Sequence, residues 1–213
     1  MNKLFERLGD MVLKGEANLI QDVTQMALDN GQSPKDILDK GLLAGMGVVG
    51  QRFKKADMFI PEVLLSAKTM HSAMEILKPL LAEGDSHGAG TVVIGTVKGD
   101  LHDIGKNLVA MMLEGAGFKV VDIGIDQPAD AFVEAVKTYQ PHIVGMSALL
   151  TTTMPVMADT IKSIKEAGLR DTVKVIAGGA PVTREYVAQI GADGYGTNAA
   201  DAVEIAKLLV GAK

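Results

Sequence analysis

The 213-residue chain contains no cysteine, which removes disulfide scaffolds, thiolate zinc sites and a cysteine nucleophile together. Positive charge is also short. Lys and Arg total 21 against 26 Asp and Glu, a formal net charge of −5. Nucleic-acid binders and proteins that dock on anionic membranes need a basic surface, so neither class fits. No apolar run reaches the about 18 residues that cross a bilayer. The opening Met1-Asn2-Lys3-Leu4-Phe5-Glu6-Arg7 interrupts its apolar residues with charge and does not read as a secretory signal. The expected compartment is the cytoplasm. Core-forming residues are plentiful: 47% of the chain is hydrophobic, which excludes a disordered polymer. At about 150 residues per domain, the length allows one large domain or two small ones.

The hydrophobic period changes along the chain. Residues 1–83 read as four amphipathic helices forming a small bundle. Leu4, Leu8, Met11 and Val12 share one helical face, and Ile20, Val23, Met26 and Ala27 share another. Ser33-Pro34 is a helix start, with Ile37, Leu38, Leu42 and Met46 following at helical spacing. Pro61 opens a fourth helix with Leu64, Ala67, Met70, Met74, Leu77 and Leu81 on one stripe. Residues 84–90 are small and polar and read as a linker. From Thr91 on, residues 91–213 carry short apolar runs at 92–97, 119–124, 142–147 and 174–177, with a fifth strand near 193–196. Helical segments lie between them, at 104–114, 128–139 and 154–167. Alternating strand and helix, with strands apolar on both faces, predicts an α/β domain with a doubly wound five-stranded parallel sheet.

Ligands of such sheets bind beyond the carboxyl ends of the strands. The segment after the first strand runs Lys98-Gly99-Asp100-Leu101-His102-Asp103-Ile104-Gly105-Lys106-Asn107. The segment after the third starts at Ser147 and includes Leu149 and Thr153. The fourth strand is followed by Gly178-Gly179-Ala180-Pro181. His102 is the sharpest feature. Flanked by Asp100 and Asp103, it is either a solvated loop imidazole that caps the next helix or a metal ligand steadied by a carboxylate. His71, His87 and His142 lie elsewhere in the pattern, so a zinc site with three protein ligands is not assembled. One histidine suffices if a macrocycle supplies the other metal bonds. Gly105-Lys106-Asn107 lacks the Ser or Thr of a phosphate loop, and Ser147 lacks a nucleophile elbow. In the helical half, Gly41, Gly45, Gly47 and Gly50 fall within one helix, which suits close helix packing or close approach of a ligand. Phe53, Met58, Phe59 and Ile60 gather at the next turn, able to cover a partner or ligand or to pack on the sheet domain.

Asp100-x-His102-x-x-Gly105, followed by Ser147-x-Leu149 and Gly178-Gly179, resembles the signature of the cobalamin-binding modules of methionine synthase and the corrinoid methyltransferase proteins. The runs Gly45-Met46-Gly47-Val48-Val49-Gly50 and Met58-Phe59-Ile60-Pro61 resemble the helical cap of the same family, so the likeness spans about Leu4 to Leu209. It implies a flavodoxin-like, Rossmann-type sheet of order 2-1-3-4-5 beneath a four-helix bundle cap. It implies cobalamin as cofactor, with His102 replacing the benzimidazole base on cobalt, Asp100 accepting a hydrogen bond from the other ring nitrogen and Ser147 extending that relay. Asp103 and Ile104 belong to the implied cofactor loop. Gly105, Ser147, Leu149, Thr153, Gly178 and Gly179 match positions that contact the displaced nucleotide tail, and Phe53 and Ile60 match apolar residues over the methyl-bearing face.

The implied role is a methyl carrier cycling between Co(I) and methyl-Co(III). It would serve a substrate:corrinoid methyltransferase and a second corrinoid-dependent methyltransferase, with a reductive activase as a further partner. The run Gly178-Gly179-Ala180-Pro181-Val182 is most similar to corrinoid proteins of the methylamine type. Other uses of such a module are a cobalamin-dependent sensor and the small subunit of an adenosylcobalamin isomerase. The first generally carries a basic DNA-binding domain and the second a substrate barrel, and neither is evident here.

Overall fold

The computed structural model describes residues 3–81 and 89–211, so most of the expected 84–90 linker lies outside the described residues. The chain divides into two compact units, a helical one drawn chiefly from the residues before 89 and an α/β one from those after.

In the helical unit, α1 (Lys3–Lys14) and α2 (Ala17–Asp29) precede a continuous helical stretch. That stretch comprises α3 (Pro34–Asp36), a π-helical segment (Ile37–Leu43) and α4 (Ala44–Lys54). The Ser33 hydroxyl accepts a hydrogen bond from the Asp36 amide and Pro34 takes the first helical position, as the local sequence predicts. Helix α5 (Ile60–Leu77) follows, and the Glu62 carboxylate caps its start by accepting from the Phe59 amide at 2.8 Å. Four helical stretches therefore form this unit. The glycines of the third explain its packing. A Cβ on Gly45 would stand 2.6 Å from the Gly9 carbonyl oxygen, and one on Gly41 would stand 3.2 Å from Leu8 Cβ. α1 lies against this stretch, so the small residues serve helix packing there. Two expected core residues are outside it: Met26 and Leu64 are exposed, and α5 buries Val63, Ser66 and Ala73 beside the expected Ala67, Met70 and Leu77. The buried face lies one position N-terminal of the expected stripe at Leu64.

The α/β unit holds β1 (Gly90–Thr96), α6 (Ile104–Gly115), β2 (Phe118–Asp122), α7 (Ala129–Tyr139), β3 (Ile143–Ser147), α8 (Pro155–Glu166), β4 (Lys174–Gly178), α9 (Arg184–Gln189), β5 (Gly194–Gly196) and α10 (Ala199–Val210). All strands are parallel, in the order β2-β1-β3-β4-β5. Val92, Val93 and Ile94 of β1 and Ile143, Val144 and Met146 of β3 are buried, as expected for strands covered on both faces. One layer of core joins α7, α8 and α9 to the sheet through Phe132, Val133, Met157, Ile161, Ile164 and Val187. The chain reverses direction across the sheet at β1, so right-handed crossovers place α6 on the opposite face. The same reversal opens a crevice beyond the ends of β1 and β3. α9 and α10 were not among the helices expected from periodicity. α9 is only six residues long, and α10 buries mainly alanines.

Candidate functional site

The parallel register aligns Thr96, Ser147, Gly178 and Gly196 in one row at the carboxyl edge of the sheet. The loops that leave this row hold the candidate residues. Neighbouring segments clasp the end of β1 and the loop that follows it. Gly124 O and Ser147 O accept from the amides of Thr96 and Val97, at 2.9 and 3.0 Å. Asp126 accepts from the Gly99 amide at 2.7 Å and donates its own amide to Asp100 O.

Asp100 is the centre of the arrangement. Its side chain is wholly enclosed (0% exposed). Oδ1 accepts from the His102 amide at 3.1 Å and pairs with His102 Nδ1 at 2.7 Å. Oδ2 accepts from the amides of Leu149 and Leu150 at 2.7 and 3.1 Å and from the Thr153 hydroxyl at 2.9 Å. Burial pushes this carboxyl's pKa upward, but the Leu149 amide, the His102 ring and amide, and the Thr153 hydroxyl together hold it well below the usual carboxylate range. Asp100 is therefore an anion at neutral pH, and an anion can only accept. The network thus assigns the proton of His102 to Nδ1. Nε2 has no hydrogen-bond partner among the described residues, and the side chain is 52% exposed. The Thr96 hydroxyl fixes the backbone by donating to His102 O at 2.9 Å.

This geometry corrects one expectation. Ser147 ends β3 beside Thr96, but its hydroxyl makes no hydrogen bond to Asp100. Thr153 does. The turn after β3 bends back, with the Thr153 amide donating to Leu150 O, and this brings the third threonine of Thr151-Thr152-Thr153 onto the carboxylate. Sequence reasoning also missed the Leu150 amide and the Thr96 hydroxyl; no local pattern marks either.

The other expected residues fall as follows. Asp103 and Ile104 start α6, where the Asp103 carboxylate accepts from the Asn107 side-chain amide at 3.1 Å. A Cβ on Gly105 would meet nothing within 4 Å, so the first turn of α6 leaves open space. Gly178 and Gly179 have a packing cause: Cβ atoms there would stand 2.8 Å from Gly196 O and 1.9 Å from Ala148 O, and Gly179 has φ +127°. Leu149 is exposed, as are Leu101, Ile104, Ile125 and Leu150, so apolar side chains accompany His102 along this edge. Phe53 and Ile60 belong to the helical unit, half-buried and exposed respectively, and Phe59 beside Ile60 is 66% exposed.

No group of three or more His, Cys, Asp or Glu able to hold a metal ion occurs among the described residues. One imidazole with a free Nε2, a buried anion behind it and apolar residues around it does not suit a bare ion. It suits a metal that arrives within its own macrocycle, needing one axial nitrogen and an apolar bed. The donor set therefore fits a corrinoid.

Comparison with known proteins agrees. Residues 90–204 match a B12 binding domain family, and residues 4–78 match a second B12 binding domain family. The chain is 43% identical over 203 residues to trimethylamine corrinoid protein 1 of Methanosarcina acetivorans, covering 94% of each. It is 48% identical over 178 residues to dimethylamine corrinoid protein 1 of the same organism, covering 83% of this chain and 84% of the relative. Among solved structures, a chain of the methanol:cobalamin methyltransferase complex from Methanosarcina barkeri superposes with a TM-score of 0.89 at 33% identity, covering 100% of this chain and 81% of that one. The chain belongs to the family of B12-binding corrinoid proteins, and its cofactor is cobalamin.

Proposed function

We propose that the chain is the methyl carrier of a methyltransferase system and holds cobalamin through His102 Nε2, with the cofactor's own base displaced. The observation that carries this reading is the imidazole fixed at Nδ1 by the enclosed Asp100 carboxylate, with Nε2 left free. Bound cobalamin supplies a cobalt that accepts a methyl group when reduced and yields it to a nucleophile. The remaining work belongs to side chains of this protein. Asp100 holds the ring in one tautomer and one orientation. Its own charge is balanced by four other donors, so it accepts Nδ1–H without taking the proton. Thr153 tunes that anion, because its hydroxyl can donate either to Asp100 Oδ2 or to Leu150 O, both at 2.9 Å. Gly105, Gly178 at the end of β4 and Gly179 after it are assigned to the nucleotide tail. The apolar residues Phe53 and Ile60 are assigned to excluding water from the methyl group.

A substrate-side methyltransferase loads the carrier and a second methyltransferase unloads it. The relatives named for trimethylamine and dimethylamine, and the structural relative from a methyltransferase complex, support a methylated amine as donor and a methyltransferase as partner. Reconstitution with cobalamin tests the reading. His102→Ala should bind the cofactor in a water-ligated form with a changed absorption spectrum, while the apo fold stays intact. An unchanged spectrum overturns the assignment.

A further inference from the structure

Lys106 is an unexpected residue in this unit. It lies on the first turn of α6, and its side chain is 2% exposed, although lysine is among the residues least often buried. Its ammonium does not face solvent or an anion site. It donates to the Asp122 carboxylate at the end of β2 and to Asn107 Oδ1 at 2.8 Å. Both partners are engaged further. Asn107 donates its side-chain amide to the Asp103 carboxylate at 3.1 Å and its backbone amide to Asp103 O at 2.7 Å. Asp122 Oδ1 accepts from the Gly124 amide at 2.8 Å, and Gly124 O receives the amide of Thr96. Thr96, in turn, donates its hydroxyl to the carbonyl of His102. The chain of bonds thus leaves the residue after His102, crosses from α6 to the edge strand β2 and returns to the carbonyl of His102.

Residues 100–103 have no regular secondary structure, so nothing in a backbone ladder fixes their height above the sheet. An ordinary exposed helix start would need only a cap, which Asp103 can supply. A buried ammonium paired with a half-exposed carboxylate is a costly way to add stability. It is an effective way to fix geometry, because it tolerates one arrangement only.

We propose that Lys106, through Asp122 and Asn107, is a positioning residue that holds the His102 loop at the height at which Nε2 ligates the corrinoid. This inference rests on the reading of His102 as the axial ligand. Loosening the clamp should shift the balance from nitrogen-ligated to nitrogen-free cofactor without touching any atom of His102 or Asp100.

The test uses the full chain loaded with cob(II)alamin and read by electron paramagnetic resonance, where an axial nitrogen splits the cobalt lines. Lys106→Met keeps the stem volume, and Asp122→Asn keeps an acceptor. Each should lower the ratio of nitrogen-ligated to nitrogen-free cofactor about tenfold. The double variant should lose less than the product of the two single losses, since both variants remove the same Lys106–Asp122 ion pair. Circular dichroism reports whether each variant is folded, and if Lys106→Met does not fold, Asp122→Asn carries the test. Folded variants that keep the wild-type ratio, or a double variant whose losses multiply, would overturn the proposal. Absence of His102-dependent splitting in the wild type would instead overturn the ligand assignment on which it rests.

Discussion

Five hydrogen-bond donors surround one carboxylate in this protein, and that residue decides what His102 can do. Asp100 is an anion because amides and a hydroxyl replace the water it lost on burial. Its folded pKa lies below the unfolded value of about 3.9. Its contribution to stability is therefore complete above that value and fades as pH falls through the folded pKa. Unfolding of the apo protein by urea should show stability dropping below about pH 4, and Asp100→Asn should remove much of that slope. At neutral pH the same variant should lose about 1–3 kcal/mol, because an amide group replaces an acceptor that faces buried donors. The two hydroxyls near this residue give a sharper contrast. Thr153→Val should cost about 1 kcal/mol and alter the cofactor spectrum, whereas Ser147→Ala should leave the spectrum as it is. The reverse pattern would restore Ser147 to the relay. The sequence made the loop visible through Asp100, His102 and Gly105. It could not show which hydroxyl reaches the carboxylate, because that depends on how the turn after β3 bends. Lys106 was similarly opaque: its partner Asp122 lies 16 residues away, across an edge strand.

Among the secondary-structure elements, the strands were easiest to read because both faces of the sheet are covered and the apolar runs are nearly unbroken. Helix faces were harder. In α5 the expected stripe began at Leu64, but Val63 occupies the interior and Leu64 the surface, since Val63, Ser66, Ala67, Met70, Ala73 and Leu77 follow helical spacing equally well. α10 could have been found from its ends: Asn198 caps it by accepting from the Asp201 amide, and Gly211 closes it at φ +68°. The glycines of α4 separate packing from propensity. Gly45→Ala forces a methyl group against the Gly9 backbone and should lower stability by about 1–3 kcal/mol. Gly47→Ala meets nothing within 4 Å and should raise stability by up to about 1 kcal/mol. Thermal unfolding of the two variants should move the midpoint in opposite directions.

At the level of the whole molecule, a carrier needs a ligand for its cofactor and access for two enzymes, but no pocket for the methyl donor. The carboxyl edge of the sheet offers an imidazole, a buried anion and apolar side chains, and no cluster of three or more His, Asp or Glu gathers there among the described residues. The loaded protein alone should therefore leave methylamines unchanged, and transfer should begin only when a matching methyltransferase is added. Demethylation by the isolated protein at about 1 s⁻¹ or faster would make it an enzyme in its own right. The most direct measurement concerns the cobalt ligand. The protein is produced with nitrogen-15-labelled histidine, loaded with unlabelled cob(II)alamin and examined by electron paramagnetic resonance. Ligation by His102 predicts that the axial-nitrogen triplet of the unlabelled protein becomes a doublet, and that His102→Ala loses the splitting. A triplet that persists with labelled histidine would mean that the cofactor keeps its own base, and would contradict the assignment of His102.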